Sequence, residues 1–322
     1  MVLEVPLYRS PSEADSLLVR VMRECPQDCG FCSMYTTLGK DGILERNKPS
    51  RRTVQEVKYD IDAWRRAAEG ATVLSNIGYV SGIHFLWYRN YANAPETAFL
   101  GDADVMLVPG RDLAEMVRYL HDVFPSIKRT TAYAIARSIT RKTPEELDEI
   151  RQAGLDRLLV GLESGSDKVL SYMDKRATAD IMIQAGNMAQ DSGYELSLFV
   201  MPGLGGVYLS EEHAAETARV LNAIDPAYAR MRPLHIVPGT PLHQTYQRGE
   251  FRVLSKEGLL REMRSMIDAL NITGRVTFDH DMNPEIDGYH VFNLDYEGYQ
   301  FPEEKSEVLR KLDDALEQLA AA

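Results

Sequence analysis

The sequence predicts an α/β fold, a parallel sheet assembled from six βα units. Three observations carry that expectation. Short apolar runs of strand type alternate with longer stretches whose apolar residues recur at helical spacing. The chain has 322 residues, which suits about two ordinary domains or one large α/β barrel. Apolar residues make up 44% and charged residues 26%, enough for a sizeable core and too ordinary for a disordered or collagen-like chain.

The elements follow in order. Residues 16–22 (SLLVRVM) form the first strand. In 53–68, Val54, Val57, Ile61 and Trp64 fall on one helical face. Residues 70–96 lengthen the next connection and are rich in aromatics: Tyr79, Phe85, Trp87, Tyr88 and Tyr91. Residues 98–108 read as a strand with a polar tip, and Leu113, Met116, Val117 and Leu120 as a helical stripe. A short strand at 131–135 precedes Thr143-Pro144-Glu145-Glu146. There Thr caps, Pro opens the first turn and Glu stands three residues after the cap, so a helix starts and Gly154 ends it. Residues 157–162 (RLLVGL) are a buried strand. A helix runs from Thr178 to Gly193, a strand over 196–201, a helix capped by Ser210 to Ile224, and a strand over 229–237. Two further helices cover 256–270 and 302–321. Between them, 271–301 is rich in Asp, Gly, Tyr and Asn and reads as a loop-rich cap over an open end.

Basic residues number 36 and acidic residues 48, a net charge of −12. A protein that tracks a phosphate backbone carries a basic face, so this balance argues against nucleic acid as the main partner. It argues equally against an anionic membrane surface. No apolar run approaches the ~18 residues that span a bilayer, and the first residues lack the basic-then-apolar order of a secretory leader. The expected compartment is the cytoplasm.

Three cysteines, Cys25, Cys29 and Cys32, fall in the spacing C-x3-C-x2-C directly after the first strand, and no other occurs. A disulfide framework needs an even number spread along the chain. Structural zinc takes four Cys or His ligands, and the first histidine is His84. Three inert thiols suit core packing poorly on a loop with Gly and Pro. Three thiolates fit a [4Fe–4S] cluster with one iron left open to a small molecule.

The motif resembles the C-x3-C-x-aromatic-C signature of the radical S-adenosylmethionine (SAM) superfamily, with Phe31 as the aromatic residue, and the resemblance extends over residues 17–251. Gly161-Leu-Glu-Ser-Gly-Ser-Asp-Lys-Val-Leu170 with Met173-Asp-Lys-Arg-Ala-Thr178, Phe199-Val-Met-Pro-Gly-Leu-Gly-Gly206 and Ile236-Val-Pro-Gly-Thr-Pro-Leu242 are similar to one branch. That branch holds the Elongator-type, coproporphyrinogen-oxidase-like and methylthiotransferase-like proteins. The resemblance implies a partial (βα)6 barrel of TIM type over 1–245, interrupted by the insertion at about 70–96. Residues 246–322 form a helical and loop extension that caps it.

It also implies a chemistry. SAM chelates the open iron, the reduced cluster cleaves its S–C5′ bond, and the resulting radical takes a hydrogen from substrate; the protein positions and shields. Cys25, Cys29 and Cys32 hold the cluster, with Phe31 beside them. At Leu100-Gly-Asp-Ala-Asp104, Gly101 permits close backbone approach, and Asp102 or Asp104 accepts from the SAM ammonium. Arg137, Lys175 or Arg176 pairs the SAM carboxylate, a task that favours arginine. Glu163 meets ribose hydroxyls or the methionyl end. Ser197 and Met201 flank a strand whose following backbone contacts adenine. Pro238 lies in a turn that closes the adenine side.

Substrate is expected at the C-terminal rim of the strands. Tyr35, Tyr79, Trp87, Tyr88, His235, His243, Asp279, His280, Asp281, His290 and Tyr296 are candidates to line it, with Tyr35, His235 and Asp281 as the catalytic groups. Asp279-His280-Asp281 also suits a second metal or a cationic substrate. Without further cysteine, an auxiliary cluster or a catalytic thiol is not expected, nor are a methylthiotransferase-type cluster domain, a cobalamin domain or an acetyltransferase domain. The leading expectation is hydrogen abstraction from a small polar substrate, with electrons from a flavodoxin or ferredoxin. A haem-binding or cofactor-delivery protein on the same fold is the first alternative. An RNA-modifying enzyme is the second.

Overall fold

The computed structural model describes residues 3, 4, 6, 8–40, 42–68, 94–279 and 282–321. The main sheet contains β1 (Leu17–Arg20), β2 (Thr97–Gly101), β3 (Arg129–Ala134), β4 (Arg157–Glu163), β5 (Glu195–Val200), β6 (Tyr228–Met231), β7 (Arg275–Thr277) and β8 (Tyr299–Gln300). The strands succeed one another in chain order across the sheet. Pairing is parallel for β1–β2, β2–β3, β5–β6 and β6–β7, and antiparallel for β7–β8. The helices are α1 (Val54–Ala68), α2 (Gly110–Val123), α3 (Ala136–Ile139), α4 (Pro144–Gln152), α5 (Asp167–Tyr172), α6 (Ala179–Asp191), α7 (Gly206–Ile224), α8 (Pro241–Gln247), α9 (Lys256–Ala269) and α10 (Lys305–Ala321). This is the α/β fold that the alternation predicts. Among the described residues no helix is long and apolar enough to cross a membrane.

Contacts divide the chain into two compact units. The first comprises Met1–Pro26, Asn47–Leu159 and Met188–Glu195. Every residue of β1 is buried, as a strand covered on both faces requires. Val57, Ile61 and Trp64 of α1 are buried, and the Trp64 indole N–H donates to the Leu18 carbonyl at 3.0 Å. Leu113, Met116, Val117 and Leu120 of α2 are buried together. Each such large apolar side chain stabilises by about 1.5–3 kcal/mol. Thr143 and Glu146 make a complete capping box at the start of α4.

The second unit comprises Gln27–Arg46, Val160–Asn187 and Leu196–Ala322. Here α9 packs against α7 and α10. Arg230 of β6 is buried, donating from Nε to Ser197 Oγ at 2.9 Å and from Nη1 to Asp279 at 3.1 Å.

Several elements depart from the sequence reading. The strand expected over 98–108 stops at Gly101, and Val105–Leu107 form a 3-10 turn. The reason is that Asp104 turns inward to accept hydrogen bonds from the Ile135 N–H and Ser138 hydroxyl. Ser210 is not a cap: α7 begins at Gly206, and the Ser210 hydroxyl donates to Glu262 instead. The strand expected over 229–237 ends at Met231, because Pro233 and Pro238 cannot donate to a ladder. The stretch 271–301 is more than a loop-rich cap. It supplies β7 and β8 to the sheet, and Glu285–Ile286 pairs with Tyr289–His290. The last helix starts at Lys305 rather than 302. Helices α5 and α8 carried readable caps, Ser166 and Thr240, that periodicity alone passes over.

Candidate functional site

The cysteine loop is fixed through its backbone. In the second unit, the Gly30 N–H donates to the Met173 carbonyl at 2.8 Å, and the Gly30 carbonyl accepts from the Leu242 N–H at 2.9 Å. The Cys32 N–H donates to the Cys29 carbonyl at 3.1 Å, closing a turn between two thiols. Strand Thr36–Leu38 turns back through Leu44–Arg46, and the register sets Arg46 opposite Thr36. From there Arg46 reaches back to the loop. Its Nη2 donates to the carbonyls of Cys29 and Cys32, both at 2.9 Å, and its Nη1 to that of Met34 at 2.8 Å. The Leu44 N–H donates to the Gly239 carbonyl at 3.1 Å, which ties the hairpin to the turn after Pro238.

Phe31 packs on an apolar group formed by Val169, Met173, Leu204, Leu242 and Phe251, and Met201 packs on the same group. Cys29 is buried, whereas Cys32 is partly exposed. Burial pushes the Cys29 thiol up from its ordinary value. Lys175 pulls it down, Cys32 and Glu163 raise it, and Arg46 lowers it. A bound iron outweighs that penalty, since the thiolate is the ligand form. Among the described residues no three or more His, Cys, Asp or Glu side chains are grouped to hold a single metal ion, whereas closed structural zinc takes four ligands. A set of three thiols suits a cluster, in which each thiolate takes its own iron.

Glu163 and Lys175 meet. Glu163 ends β4 with φ 63°, and its carbonyl accepts from the Met201 N–H at 3.0 Å. Lys175 Nζ donates to Glu163 Oε1 at 3.1 Å, and both side chains are largely buried. Arg176 is exposed and pairs with Asp28 at 2.6 Å. Below the Met201–Gly206 segment lies a buried network. Glu262 accepts from the Gly203 N–H at 2.6 Å and the Ser210 hydroxyl at 2.5 Å. Burial pushes its carboxyl up to about 7 against those two bonds. His213 Nε2 donates to the Met201 carbonyl at 3.1 Å, so its Nδ1 accepts from the Ser164 hydroxyl at 2.8 Å. Burial holds His213 down at about 4, hence neutral.

In the first unit, Cys25 is partly exposed and follows Glu24, whose φ is 65°. The parallel register pairs Arg20 with Gly101 and so brings Arg20 beside Asp102. Arg20 donates to Asp102 Oδ2 from Nε at 2.9 Å and from Nη2 at 2.6 Å, and the Glu24 N–H donates to the same oxygen at 3.1 Å. Asp104 is buried between the Ser138 hydroxyl and the Ile135 N–H, and burial pushes it up to about 7. Both carboxylates named as alternatives for the SAM ammonium therefore have protein donors. Gly101 is a close approach, but to Pro6: a Cβ there would stand 2.6 Å from the proline Cβ. Arg137 is exposed.

Ser197 is committed to Arg230, and Pro238 is exposed at the turn that receives Leu44. Of the residues expected at substrate, Tyr35 is buried with φ 58°, and His235 is exposed. Asp279 is buried on Arg230 and Arg232. His243 is half-buried, with its Nδ1 3.4 Å from the Gly239 N–H; His290 pairs with Glu285, and Tyr296 is exposed. Asp281 and His280 lie outside the described residues, as do Tyr79, Trp87 and Tyr88 and most of the aromatic-rich insertion. Arg20, Arg46, Arg230 and Glu262 were not legible as site residues. Each belongs to no motif, and only the fold brings it to its partner.

Comparison with known proteins places the chain in a family. The model of the radical SAM superfamily matches residues 19–218. The tRNA uridine(34) acetyltransferase of Methanocaldococcus infernus is 23% identical over 165 residues, covering 50% of this chain and 31% of that protein. The biotin synthase of Salinispora tropica is 25% identical over 222 residues, covering 68% of this chain and 54% of that protein. Among solved structures, coproporphyrinogen III oxidase from Escherichia coli superposes with a TM-score of 0.51 at 16% identity, covering 79% of this chain and 51% of that one. That likeness is one of fold. The chain spans about a third of the length of the first curated relative it matches.

Proposed function

The chain belongs to the radical SAM superfamily, an enzyme family whose cofactors are a [4Fe–4S] cluster and S-adenosylmethionine, and from that premise we propose that it reductively cleaves SAM at a single cluster to abstract hydrogen from a small polar substrate. The observation that carries this reading is the cysteine loop: its backbone is fixed by Met173, Leu242 and Arg46, and its three cysteines form no disulfide. When bound, cluster and SAM together supply a one-electron reductive cleavage and a hydrogen-abstracting radical.

The chain's own residues do the rest. Cys25, Cys29 and Cys32 hold the irons. Phe31 and Met201, packed on one apolar group, keep water from that side of the loop. The Lys175 ammonium, held by Glu163, is one candidate to pair the SAM carboxylate, with Arg137 and Arg176 as the others. The Met201–Gly206 backbone, secured by Glu262 and His213, presents the edge for adenine. Arg20–Asp102 and Asp104–Ser138 serve as positioning pairs rather than ligands. The electron comes from a low-potential donor such as a flavodoxin or ferredoxin.

A second reading, RNA modification, is favoured by the likeness to the tRNA acetyltransferase and disfavoured by the net charge of −12. One experiment tests the main proposal. The protein is reconstituted anaerobically with iron and sulfide, reduced, given SAM, and assayed for 5′-deoxyadenosine by mass spectrometry. Product above the C25A/C29A/C32A variant is expected, and a cluster-loaded protein that matches that variant overturns the reading. Submicromolar, salt-dependent binding of tRNA would favour the RNA reading.

A further inference from the structure

We propose that Arg46 is a positioning residue for the cluster, clamping the cysteine loop while setting the reduction potential through its fixed charge. The inference rests on the radical SAM reading and goes beyond it, because the cysteine signature ends at Cys32 and assigns nothing to Arg46.

The geometry is specific. One guanidinium collects three carbonyls, those of Cys29, Cys32 and Met34, at 2.8 to 2.9 Å. Two of them belong to the ligand residues themselves. Their orientation toward Arg46 fixes the peptide planes that directly follow Cys29 and Cys32, and so restrains the backbone from which the two thiols project. A planar fork with several donors suits this task, whereas an ammonium on a flexible stem would satisfy fewer carbonyls at once. Arg46 is itself held, since the hairpin register sets it opposite Thr36, whose hydroxyl donates to the Ser33 carbonyl at 2.6 Å. Among the described residues no carboxylate pairs with Arg46, so carbonyl dipoles alone balance its charge there.

A permanent positive charge beside a cluster has a definite sign of effect. One electron from a low-potential donor enters on reduction, no bond changes, and the cluster with its three thiolates becomes more negative by one unit. A neighbouring cation favours that reduced form and raises the potential. Lys175 acts in the same sense, but Glu163 compensates its charge.

The test uses the whole chain reconstituted with iron and sulfide, comparing the parent with Arg46→Gln, Arg46→Lys and the remote surface variant Arg261→Gln. Two quantities are read: the rate of iron loss to a chelator, and the midpoint potential by spectroscopically monitored redox titration. Arg46→Gln should lose iron at least tenfold faster. Its equilibrium constant for reduction should fall about tenfold, equivalent to about 59 mV for one electron. Arg46→Lys should also lose iron faster, yet keep the parent's potential. Arg261→Gln should change neither. An unchanged potential in Arg46→Gln overturns the assignment, as does an Arg46→Lys potential that falls with it. An equal fall in Arg261→Gln overturns it too, since net charge alone would then be responsible. If neither Arg46 variant loads a cluster, Arg46 is a folding residue and the charge assignment is wrong. If the parent itself loads none, the radical SAM reading fails first.

Discussion

Lys175 Nζ lies 3.1 Å from Glu163 Oε1, and the absence of a side chain at Gly161 leaves room for that contact. The pair joins the end of β4 to the segment after α5, two places that the sequence suggests separately. With side-chain exposures of 9% and 13%, the pair is sheltered enough that its partners depend on each other.

Lys175→Met is therefore expected to destabilise by about 3 kcal/mol, because it leaves the Glu163 carboxylate buried and unpaired. Glu163→Gln retains an oxygen for the ammonium and should cost about 1 kcal/mol. Urea unfolding of the two variants checks the order, and equal losses would show that the pair is not mutually dependent.

Gly161→Ala probes the same place differently. The new Cβ would stand 2.1 Å from Glu163 Oε1 and 2.9 Å from Lys175 Nζ, both far ends of flexible side chains. The pair is displaced while the fold survives, so SAM affinity by equilibrium dialysis should fall at least tenfold with little change in Tm. Gly165→Ala is the contrast: its Cβ would meet the Glu216 carbonyl oxygen at 2.2 Å, and backbone must move. That variant should lose several degrees in Tm.

Asp102→Ala removes the acceptor shared by Arg20 and the Glu24 N–H. Breaking such a buried pair costs about 3–5 kcal/mol. Because Glu24 precedes Cys25, iron content after reconstitution should fall as well. Thermal melting and iron analysis read the two effects, and full iron loading with parental stability would contradict the positioning role.

Asp104 supplies a pH dependence. Burial raises its folded value to about 7, well above that of an unfolded carboxyl near 4. Between those values the folded state binds more protons than the unfolded state. This carboxyl's contribution to stability is therefore fully present below pH ~4 and is lost as pH rises through about 7. Asp104→Asn should flatten that part of the curve by a few degrees, measured as Tm from pH 4.5 to 8 against the parent. An identical slope in the two proteins would refute it.

Much was legible along the chain because it is local. The capping box of Thr143 and Glu146 and the stripe of Leu113, Met116, Val117 and Leu120 declare themselves within one or two turns. The cysteine spacing declares its chemistry in eight residues. Other readings failed where a distant partner outweighed local pattern. Ser210 has the side chain of a cap, but Glu262, 52 positions on, takes its hydroxyl. The residues 102–108 look like strand, yet Asp104 bends toward Ser138. The loop character of 271–301 hid two sheet strands, because β7 and β8 are only three and two residues long.

By itself, the sequence determined the α/β alternation, the strand after which the three thiols stand, and the family whose chemistry they serve. Periodicity, capping and ligand spacing are properties of neighbouring residues, and neighbours are what a sequence records. Only the tertiary structure decided which charge meets which partner. Parallel register brought Arg20 to Asp102, and a hairpin returned Arg46 to the carbonyls of Cys29 and Cys32. In a folded interior a charge needs a partner, and the partner is chosen by the fold, at separations no motif spans.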